Sequence, residues 1–155
     1  MSKHRVGVIS DTHGLLRPEA VEALRGVEMI LHAGDIGKPE VLEELNKIAP
    51  VTAVRGNNDR DAWAEAISDW EAVQVDGVSI YMLHDLKQLD LTPEAAGFQV
   101  VIAGHSHKPV VEERRGVLYL NPGSAGPRRF KLPVCVAFLT ITDGRAAAEI
   151  VEILR

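Results

Sequence analysis

Residue types that bind metals follow the ends of the predicted strands, and this pattern constrains the fold of the chain more than any other feature. Five short apolar runs, the first of them Val6–Ser10, each end in Asp, Asn or His. In α/β sheets, sites are assembled from the separate loops at the carboxyl ends of the strands. The pattern therefore predicts one site at one sheet edge, built from Asp11, His13, Asp35, Asn57, His84, His105 and His107.

Glycine precedes three of these side chains, at Gly34, Gly56 and Gly104. A glycine there lets the chain turn sharply and brings the next side chain close to a central ion. The glycines are therefore consistent with a site whose ligands crowd around a small volume.

Each fragment of the pattern has an ordinary explanation when it is taken alone. An Asp-x-His or His-x-His pair is more often a solvated turn than a metal site. Asp35 is a common type of helix N-cap, and Asn57-Asn58-Asp59 is a good turn sequence. Jointly, however, four of the six His residues, two Asp and one Asn fall at strand ends, and all are types that bind divalent transition metals. The combination predicts a metal site.

The order of strands and helices changes near Trp70. Before it, β-branched runs alternate with helical segments, which is typical of βαβ units. The predicted strands there cover residues 6–10, 29–32 and 51–55, and the predicted helices cover 18–25, 39–48 and 61–68. After it, three strand pairs flank the two-residue turns Asp76-Gly77, Arg115-Gly116 and Asp143-Gly144, which are typical of hairpins. A short helix over 93–96 and a strand over 99–103 lie between them. We predict a single domain over residues 1–155, with two packed sheets, outer helices and a meandering second half.

Composition excludes several classes of partner. The 17 basic and 22 acidic residues give a net charge of −5, so non-specific binding to nucleic acid or to anionic membranes is not expected. The single Cys135 excludes an intrachain disulfide and a cysteine-based zinc site, and its apolar neighbours predict a buried side chain. The apolar run over residues 6–9 is too short for a signal peptide, and no run approaches the ~20 apolar residues of a membrane span. We expect a cytoplasmic protein.

The motifs, in their order and spacing, resemble those of the calcineurin-like metallophosphoesterases, and more closely the small phosphodiesterase branch of that superfamily. The matching blocks are Asp11-x-His13, Gly34-Asp35, Gly56-Asn57-x-Asp59, His84, Gly104-His105-x-His107 and the later Asn121-Pro122-Gly123-Ser124 with Pro127-Arg128. The resemblance extends from about residue 5 to the last strands. It implies an α/β fold with four layers, an αββα sandwich of two mixed β-sheets flanked by helices.

The resemblance also implies a role for each ligand. Asp11, His13 and His107 bind one divalent metal, and Asp35 bridges to a second metal that Asn57, His84 and His105 complete. Two divalent ions carry +4 and the two aspartates −2, so the net +2 can hold a phosphodiester anion and a hydroxide that bridges the metals. Imidazole-rich sites favour transition metals over Mg or Ca. Manganese is the first candidate, with Ni, Fe, Co and Zn as alternatives.

Asn58 stands where many superfamily members carry a His that is thought to protonate the leaving group. General acid catalysis is typically worth ~10²–10⁴-fold, so we expect slow turnover, best on esters whose leaving group needs little protonation. The residues taken as catalytic are Asp11, Asp35, Asn57, Asn58 and His105.

Three charged residues near these motifs have two interpretations each. Asp59 either orients a metal ligand or is a surface turn residue. Arg55 either reaches the phosphate or pairs with a carboxylate. Asp85 departs from the pattern of the branch, where a small residue often follows this His, and it either accepts a hydrogen bond behind a ligand or faces solvent.

Residues outside the ligand set have more ordinary predicted roles. His32 is expected to be a hydrogen-bonded structural residue, and Asn121 and Ser124 are expected to support the site from beneath. Core packing is the default prediction for Trp63 and Trp70, and the alternatives are that they roof the site or mark a subunit contact. The cluster Arg128, Arg129 and Lys131 either attracts an anionic substrate or lies in a solvated loop.

The sequence predicts a metal-dependent phosphoesterase, first of all a phosphodiesterase, acting on a small phosphate-ester substrate. A phosphomonoesterase is the nearest alternative. The other is a non-catalytic protein-binding scaffold of the same fold, as known for the retromer subunit of this branch. That relative has lost metal-site residues, whereas all seven are present here. The oligomeric state is open, and a symmetric homodimer is the commonest outcome for small soluble enzymes.

Overall fold

In a computed structural model of the protein, which describes residues 3–154, the chain forms ten strands and three α-helices. The strands are β1 (Lys3–Ile9), β2 (Met29–His32), β3 (Val51–Ala53), β4 (Trp70–Val75), β5 (Val78–Leu83), β6 (Val100–Ile102), β7 (Val110–Arg114), β8 (Val117–Asn121), β9 (Val134–Thr142) and β10 (Arg145–Leu154). The helices are α1 (Pro18–Ala23), α2 (Pro39–Asn46) and α3 (Pro93–Ala96), with 3₁₀ turns at Ala62–Ala66 and Leu86–Gln88. None of the helices in this range is long and apolar enough to cross a membrane.

The first sheet has the strand order β10-β9-β1-β2-β3. Strands β1, β2 and β3 are parallel and are connected through α1 and α2, so the predicted βαβ units are confirmed. Strand β9 runs antiparallel to both β1 and β10. The carboxyl ends of β1, β2 and β3 consequently lie at the same edge.

The second sheet has the order β4-β5-β6-β8-β7, with β5, β6 and β8 parallel. The prediction of a meandering second half is wrong in two respects, since these strands are joined by crossovers and the β9–β10 hairpin returns to the first sheet. The reason is burial, since the second half of β1 and most of β9 are buried on both faces of the sheet. Each of these strands therefore needs a hydrogen-bonded neighbour strand on both sides.

The three predicted hairpin turns are confirmed. Asp76, Arg115 and Asp143 have φ values of 46°, 51° and 52°, and the glycine after each also has a positive φ. Two successive residues with positive φ define the type I′ geometry, whose twist matches that of the flanking strands.

The two sheets pack face to face around one core. This core joins Val8 and Leu31 of the first sheet to Ile80, Met82 and Ile102 of the second. Helices α1 and α2 cover the outer face of the first sheet, and the segment around Leu86, Leu89 and Phe98 covers the outer face of the second. The expected four-layer arrangement of two mixed sheets is therefore confirmed.

Local structure differs from the prediction where the chain turns toward the site. Residues 61–68 form only a 3₁₀ turn, and β3 ends at Ala53 rather than Arg55. The Arg55 N–H donates instead to the Ser68 carbonyl at 2.9 Å, so the chain leaves the sheet two residues early. Trp63 is half-buried against the core as expected. The default prediction of core packing is wrong for Trp70. Trp70 lies on the edge strand β4 and is 55% exposed.

Candidate metal centre

The loops after β1, β2, β5 and β6 meet at one edge of the sandwich and bring together six of the seven predicted ligands. They form two groups, and within each group the ligand atoms lie within 4.8 Å of one another. The buried group is Asp11, His13 and His107, and the open group is Asp35, His84 and His105. Both sheets contribute, since β1 and β2 belong to the first and β5 and β6 to the second.

The two groups are in direct contact with each other through their carboxylates. Asp11 Oδ1 lies 3.4 Å from Nε2 of His107 and 3.9 Å from Nε2 of both His13 and His84. Asp35 Oδ2 lies 3.2 Å from His84 Nε2 and 3.8 Å from His13 Nε2. Each carboxylate therefore faces imidazoles of both groups.

Most of these side chains sit on unusual backbone. Asp11, His13, Asp35, His105 and His107 have φ values of 56°, 47°, 54°, 71° and 64°. This left-handed region is uncommon for residues other than glycine and persists only where the surroundings enforce it. Here the loops are tied to one another: the Asp11 N–H donates to the Gly34 carbonyl and the His13 N–H to the Asp35 carbonyl, both at 2.9 Å.

The glycines before the ligands act mainly through the space that they leave. A Cβ atom at Gly56 would collide with the backbone nitrogen and the carboxylate of Asp35, and one at Gly104 would collide with the side chains of Ser10 and Asp11. Gly34 alone among the three has a positive φ, of 104°. Close approach, rather than a sharp turn, is therefore what Gly56 and Gly104 provide.

In several of the predicted ligands, one of the two polar side-chain atoms forms a hydrogen bond within the protein and the other remains free. Since the Ala33 carbonyl can only accept, His84 Nδ1 donates to it at 2.7 Å, and the lone pair of His84 Nε2 points to the carboxylates. Asp11 Oδ2 accepts from the Ser10 hydroxyl at 2.7 Å and the His105 N–H at 3.2 Å. Metal-binding His residues usually donate their second ring N–H in this way, which fixes the tautomer and the ring orientation.

The atoms left over are buried. Asp11 Oδ1, His84 Nε2 and His107 Nδ1 have no hydrogen-bond partner within residues 3–154. A buried carboxylate oxygen without a partner is costly, and such groups in native proteins call for an ion or another explanation. Oxygen and imidazole nitrogen ligands in this ratio suit divalent transition metals. The residues present therefore fit a bound metal.

The protonation behaviour of the open group points in the same direction. Burial alone would raise the pKa of Asp35, but the His84 imidazole 3.2 Å away and the Asn58 N–H, which donates to this carboxylate, lower it to about 2. Burial would lower the pKa of His84, but Asp35 and Asp11 outweigh it and raise the pKa. The centre thus keeps the Asp35 carboxylate ionised and attracts positive charge.

The loop after β3 carries Asn57, Asn58 and Asp59, which lie differently. Asp59 is buried, and its carboxylate accepts N–H groups of Ile36 and Gly37 at 3.0 Å each and of Gly56 at 2.9 Å. It thereby ties this loop to the loop that carries Asp35. Asn57 is exposed and lines a cavity beside His84. Its role as a ligand stays a prediction.

Arg55 and Asp85 both have partners in the protein. The Arg55 guanidinium donates to Asp69 Oδ1 from Nη2 at 2.9 Å and from Nε at 3.1 Å. Asp85 Oδ1 accepts the Lys87 N–H at 3.1 Å, while Oδ2 lies 4.0 Å from His105 Nε2. Asp85 is thus placed behind a predicted ligand, and Arg55 is held at the edge of the site by its ion pair.

Two supporting residues were not anticipated from the sequence. Ser10 and Thr12 flank Asp11 and are fully buried. The Thr12 hydroxyl donates to the Ile36 carbonyl at 2.8 Å and lies 3.0 Å from His32 Nε2, while His32 Nδ1 accepts the Gly34 N–H at 3.1 Å. Burial lowers the pKa of His32 to about 4, so His32 is a neutral structural residue. Their signal in the sequence was the placement of small hydroxyl side chains directly beside a predicted ligand.

The late motif supports the site from beneath, as its position suggested. The Asn121 amide donates to the Gly104 carbonyl at 3.0 Å, and the Ser124 hydroxyl donates to the Asp11 carbonyl at 3.0 Å. The first bond fixes the backbone next to His105 of the open group, and the second fixes the backbone of Asp11 in the buried group.

Comparison with known proteins agrees with this geometry. Residues 5–144 match the model of the calcineurin-like phosphoesterase superfamily domain. A probable metallophosphoesterase of Methanothermobacter thermautotrophicus is 40% identical over 95% of this chain and 91% of its own length. Phosphodiesterase YfcE of Escherichia coli K12 is 30% identical over 74% of this chain and 76% of its own length. An archaeal phosphodiesterase structure superposes with a TM-score of 0.78 at 26% identity, covering 95% of this chain and 99% of the other.

The family match covers most of the chain, and the relatives align over most of their length. The structure also brings the two groups of predicted metal ligands to one edge. The chain therefore belongs to the calcineurin-like phosphoesterase superfamily and is a metallophosphoesterase of its small, YfcE-like branch.

Proposed function

We propose that the protein is a phosphodiesterase with a binuclear centre, in which each ligand group holds one divalent metal. Asp11, His13 and His107 hold the first ion. Asp35, His84 and His105, together with Asn57, hold the second. The observation that carries the proposal is the pair of adjoining groups with an unpartnered buried atom facing the centre in each, Asp11 Oδ1 in the first and His84 Nε2 in the second. Asp35 Oδ2 faces imidazoles of both groups, so the charge of this carboxylate would serve an ion held by either group.

When bound, two ions lower the pKa of a shared water and stabilise the attacking and leaving oxygens of an in-line displacement. The water oxygen forms the new bond to phosphorus, one ester P–O bond breaks, and the alcohol leaves with a proton. The chain contributes charge and position: the carboxylate of Asp35 stays ionised, and the hydrogen bonds of Ser10 and Ala33 fix the free atoms of Asp11 and His84 toward the centre.

The leaving group receives little help from the protein. Asn58 donates its backbone N–H to Asp35 Oδ1 at 2.9 Å, and its amide nitrogen lies 3.4 Å from Asp35 Oδ2. An amide donates a hydrogen bond but gives up no proton at neutral pH. The proposed enzyme is therefore slow on esters of alkyl alcohols and faster on esters with acidic leaving groups.

The remaining parts of the proposal concern the setting of the enzyme. Manganese is the proposed metal, with Ni, Fe, Co and Zn as competitors, because histidine-rich sites bind all of them.

The proposed substrate is small, and the net charge of −5 disfavours binding to non-specific nucleic acid. The single Cys135 is free and excludes an intrachain disulfide, which suits the reducing cytoplasm. We take residues 1–155 as one domain and a symmetric homodimer as the assembly to test by light scattering.

The test is hydrolysis by metal-stripped protein before and after addition of Mn²⁺, with bis(p-nitrophenyl) phosphate as the diester and p-nitrophenyl phosphate as the monoester. Wild type should cleave the diester faster and only with metal. Asp35→Asn should lose this activity, while Asp143→Asn, on the exposed β9–β10 turn, should keep it. Faster cleavage of the monoester would overturn the diesterase assignment.

The scaffold alternative predicts a different result. It requires wild-type protein that binds no transition metal, or that shows no hydrolysis with Mn, Fe, Co, Ni or Zn. Calorimetric titration of the stripped protein with Mn²⁺ separates these cases, since the two proposed sites should take up two ions per chain and Asp35→Asn should bind fewer.

A further inference from the structure

Two cavities open beside the open ligand group, on opposite sides of the Asp85 segment. The first has a volume of about 290 Å³ and contacts Asn57 and His84. The second has a volume of about 440 Å³ and contacts His105 and Ser106. Asp85 lines both. Each cavity thus borders a different His of the open ligand group, beside the proposed position of the scissile phosphate.

The first cavity is polar. Its lining includes the carboxylates of Asp69, Asp85 and Asp90 and, apart from the predicted ligand His84, one basic group, the guanidinium of Arg55, which is already paired with Asp69. The lining thus has an excess of hydrogen-bond acceptors. It lacks a free cation among the residues that line it, so it does not serve a second anionic group. We refer to it as the polar cavity.

The second cavity is apolar. Its floor is the outer face of the second sheet, with Val101 and Tyr119, and its wall is Leu86 of the 3₁₀ turn. At its edge, Arg114 Nη2 lies 2.9 Å from Glu112 Oε2 and the Arg114 guanidinium lies 4.9 Å above the Tyr119 ring, and the charged side chains of Asp85 and Lys87 also line the cavity. We refer to it as the apolar cavity.

The contrast between these cavities bears on the substrate. A phosphomonoester has one organic group, whereas a phosphodiester has two, and each must lie somewhere beside the metals. Small-molecule sites are typically concave and apolar with a few placed polar groups. Two unlike cavities that meet at one ligand group match two unlike organic groups on one phosphorus.

We propose that the substrate is an unsymmetrical phosphodiester, with an apolar, ring-sized group in the apolar cavity and a donor-bearing group, an amine or a hydroxyl, in the polar cavity. The inference rests on the proposed phosphodiesterase activity and deepens it. Specificity then depends on Leu86 on one side of Asp85 and on Asp90 on the other, neither of which is a predicted metal ligand.

A substrate series tests the polar cavity. The probes are diesters with one p-nitrophenyl group and a second group that is n-propyl, 3-aminopropyl or 3-hydroxypropyl, and all release p-nitrophenol. The aminopropyl or hydroxypropyl ester should have a KM roughly tenfold below that of the propyl ester, since a site that hydrogen-bonds its substrate discriminates against the analogue without the donor. Asp90→Asn should reduce a preference for the amine. Equal KM values across the series would overturn the assignment of the polar cavity.

A variant pair tests the apolar cavity. Leu86→Gln should raise the KM of the p-nitrophenyl diesters roughly tenfold, as expected when apolar contact of this size is lost. Val111→Gln, which changes an exposed residue of β7 outside the cavity, should leave the KM unchanged. Leu86→Ala, which keeps an apolar wall, should give a smaller rise and serves where the Gln variant folds poorly. An unchanged KM in both Leu86 variants would overturn the assignment.

Inhibition by phosphonates separates this inference from the proposed function. Phenylphosphonate should bind Mn²⁺-loaded wild type more tightly than methylphosphonate, and Leu86→Gln should lose that preference. Binding measured by calorimetry needs no turnover. Absence of diester hydrolysis would therefore count against the proposed function, whereas equal binding of the two phosphonates would count against the apolar cavity alone.

Discussion

The two ligand groups use the same residue types but differ in their access to solvent. In the buried group, Asp11 and His107 are almost completely enclosed, and His13 is 21% exposed. In the open group, the His105 side chain is 45% exposed and two cavities reach the ligands. Asp35 and His84 are as enclosed as the buried group, so the difference lies at His105, and it supports the proposal that the substrate meets the open group on that side.

The difference arises from what packs behind each group. Ser10 donates to Asp11, and the late motif closes over the same loop through Ser124. The open group is covered on one side by the loop of Asn57 and Asn58, both of which are exposed. Access is thus determined by the supporting loops rather than by the ligands themselves.

The largest expected effect comes from removing one imidazole of each group. His107→Ala and His105→Ala should each lower the metal-dependent hydrolysis of bis(p-nitrophenyl) phosphate by roughly 10³-fold, because metal ions supply several kcal/mol of stabilisation to the transition state. Added imidazole should restore much of the activity of His105→Ala, whose space opens to solvent, and little of that of His107→Ala. Equal rescue of both variants would show that the groups do not differ in access.

The ligand pattern could be predicted from the sequence because it depends on local features. Apolar runs that end in Asp or His identify themselves, and parallel strands necessarily bring their ends to one edge. The hairpin turns were equally local, since Asp-Gly and Arg-Gly pairs specify two residues of positive φ. Six of the seven predicted ligands consequently fell into the two groups.

Features that depend on distant pairing could not be predicted in the same way. Nothing in residues 134–154 shows that this hairpin joins the first sheet, because the partner of β9 is β1 at the other end of the chain. Trp70 looked like a core residue, but its exposure follows from the edge position of β4. The apolar cavity depends on the 3₁₀ turn at Leu86–Gln88, which has no periodic signal.

The second prediction concerns His32, which holds backbone of both groups through Thr12 and Gly34. Its pKa falls from 6.5 to about 4 on folding because it is buried. Above pH 6.5 it is neutral in both states and has no effect. Between pH 6.5 and 4 the unfolded chain takes up a proton that the folded chain refuses, so the free energy of unfolding falls. At 1.36 kcal/mol per unit, the loss over 6.5 − 4 = 2.5 units is about 3 kcal/mol.

Urea denaturation of the metal-free protein at pH 7 and pH 4 measures this loss. His32→Asn, which keeps an acceptor for the Gly34 N–H, should be less stable at pH 7 but should lose about 3 kcal/mol less on acidification. The control is His4→Asn, since His4 is paired with Glu28 and its pKa is raised rather than lowered. An acid loss in His32→Asn equal to that of wild type would contradict the role assigned to burial.

The smallest expected change is a gain, and it tests whether the open group is where the leaving group departs. Asn58→His introduces an acid beside Asp35 without removing the backbone N–H that donates to that carboxylate. General acid catalysis is worth roughly 10²-fold at its lower limit, so hydrolysis of alkyl diesters should rise by about that factor. Hydrolysis of p-nitrophenol diesters, whose leaving group needs no proton, should change little, and Asn58→Gln should give no gain on either kind of diester.

The ratio of the rates on alkyl and p-nitrophenyl diesters measures acid catalysis separately from metal binding. If the ratio is unchanged in Asn58→His, the departing oxygen lies away from Asn58. The open group would then have no mechanistic reason to be the side that the substrate meets.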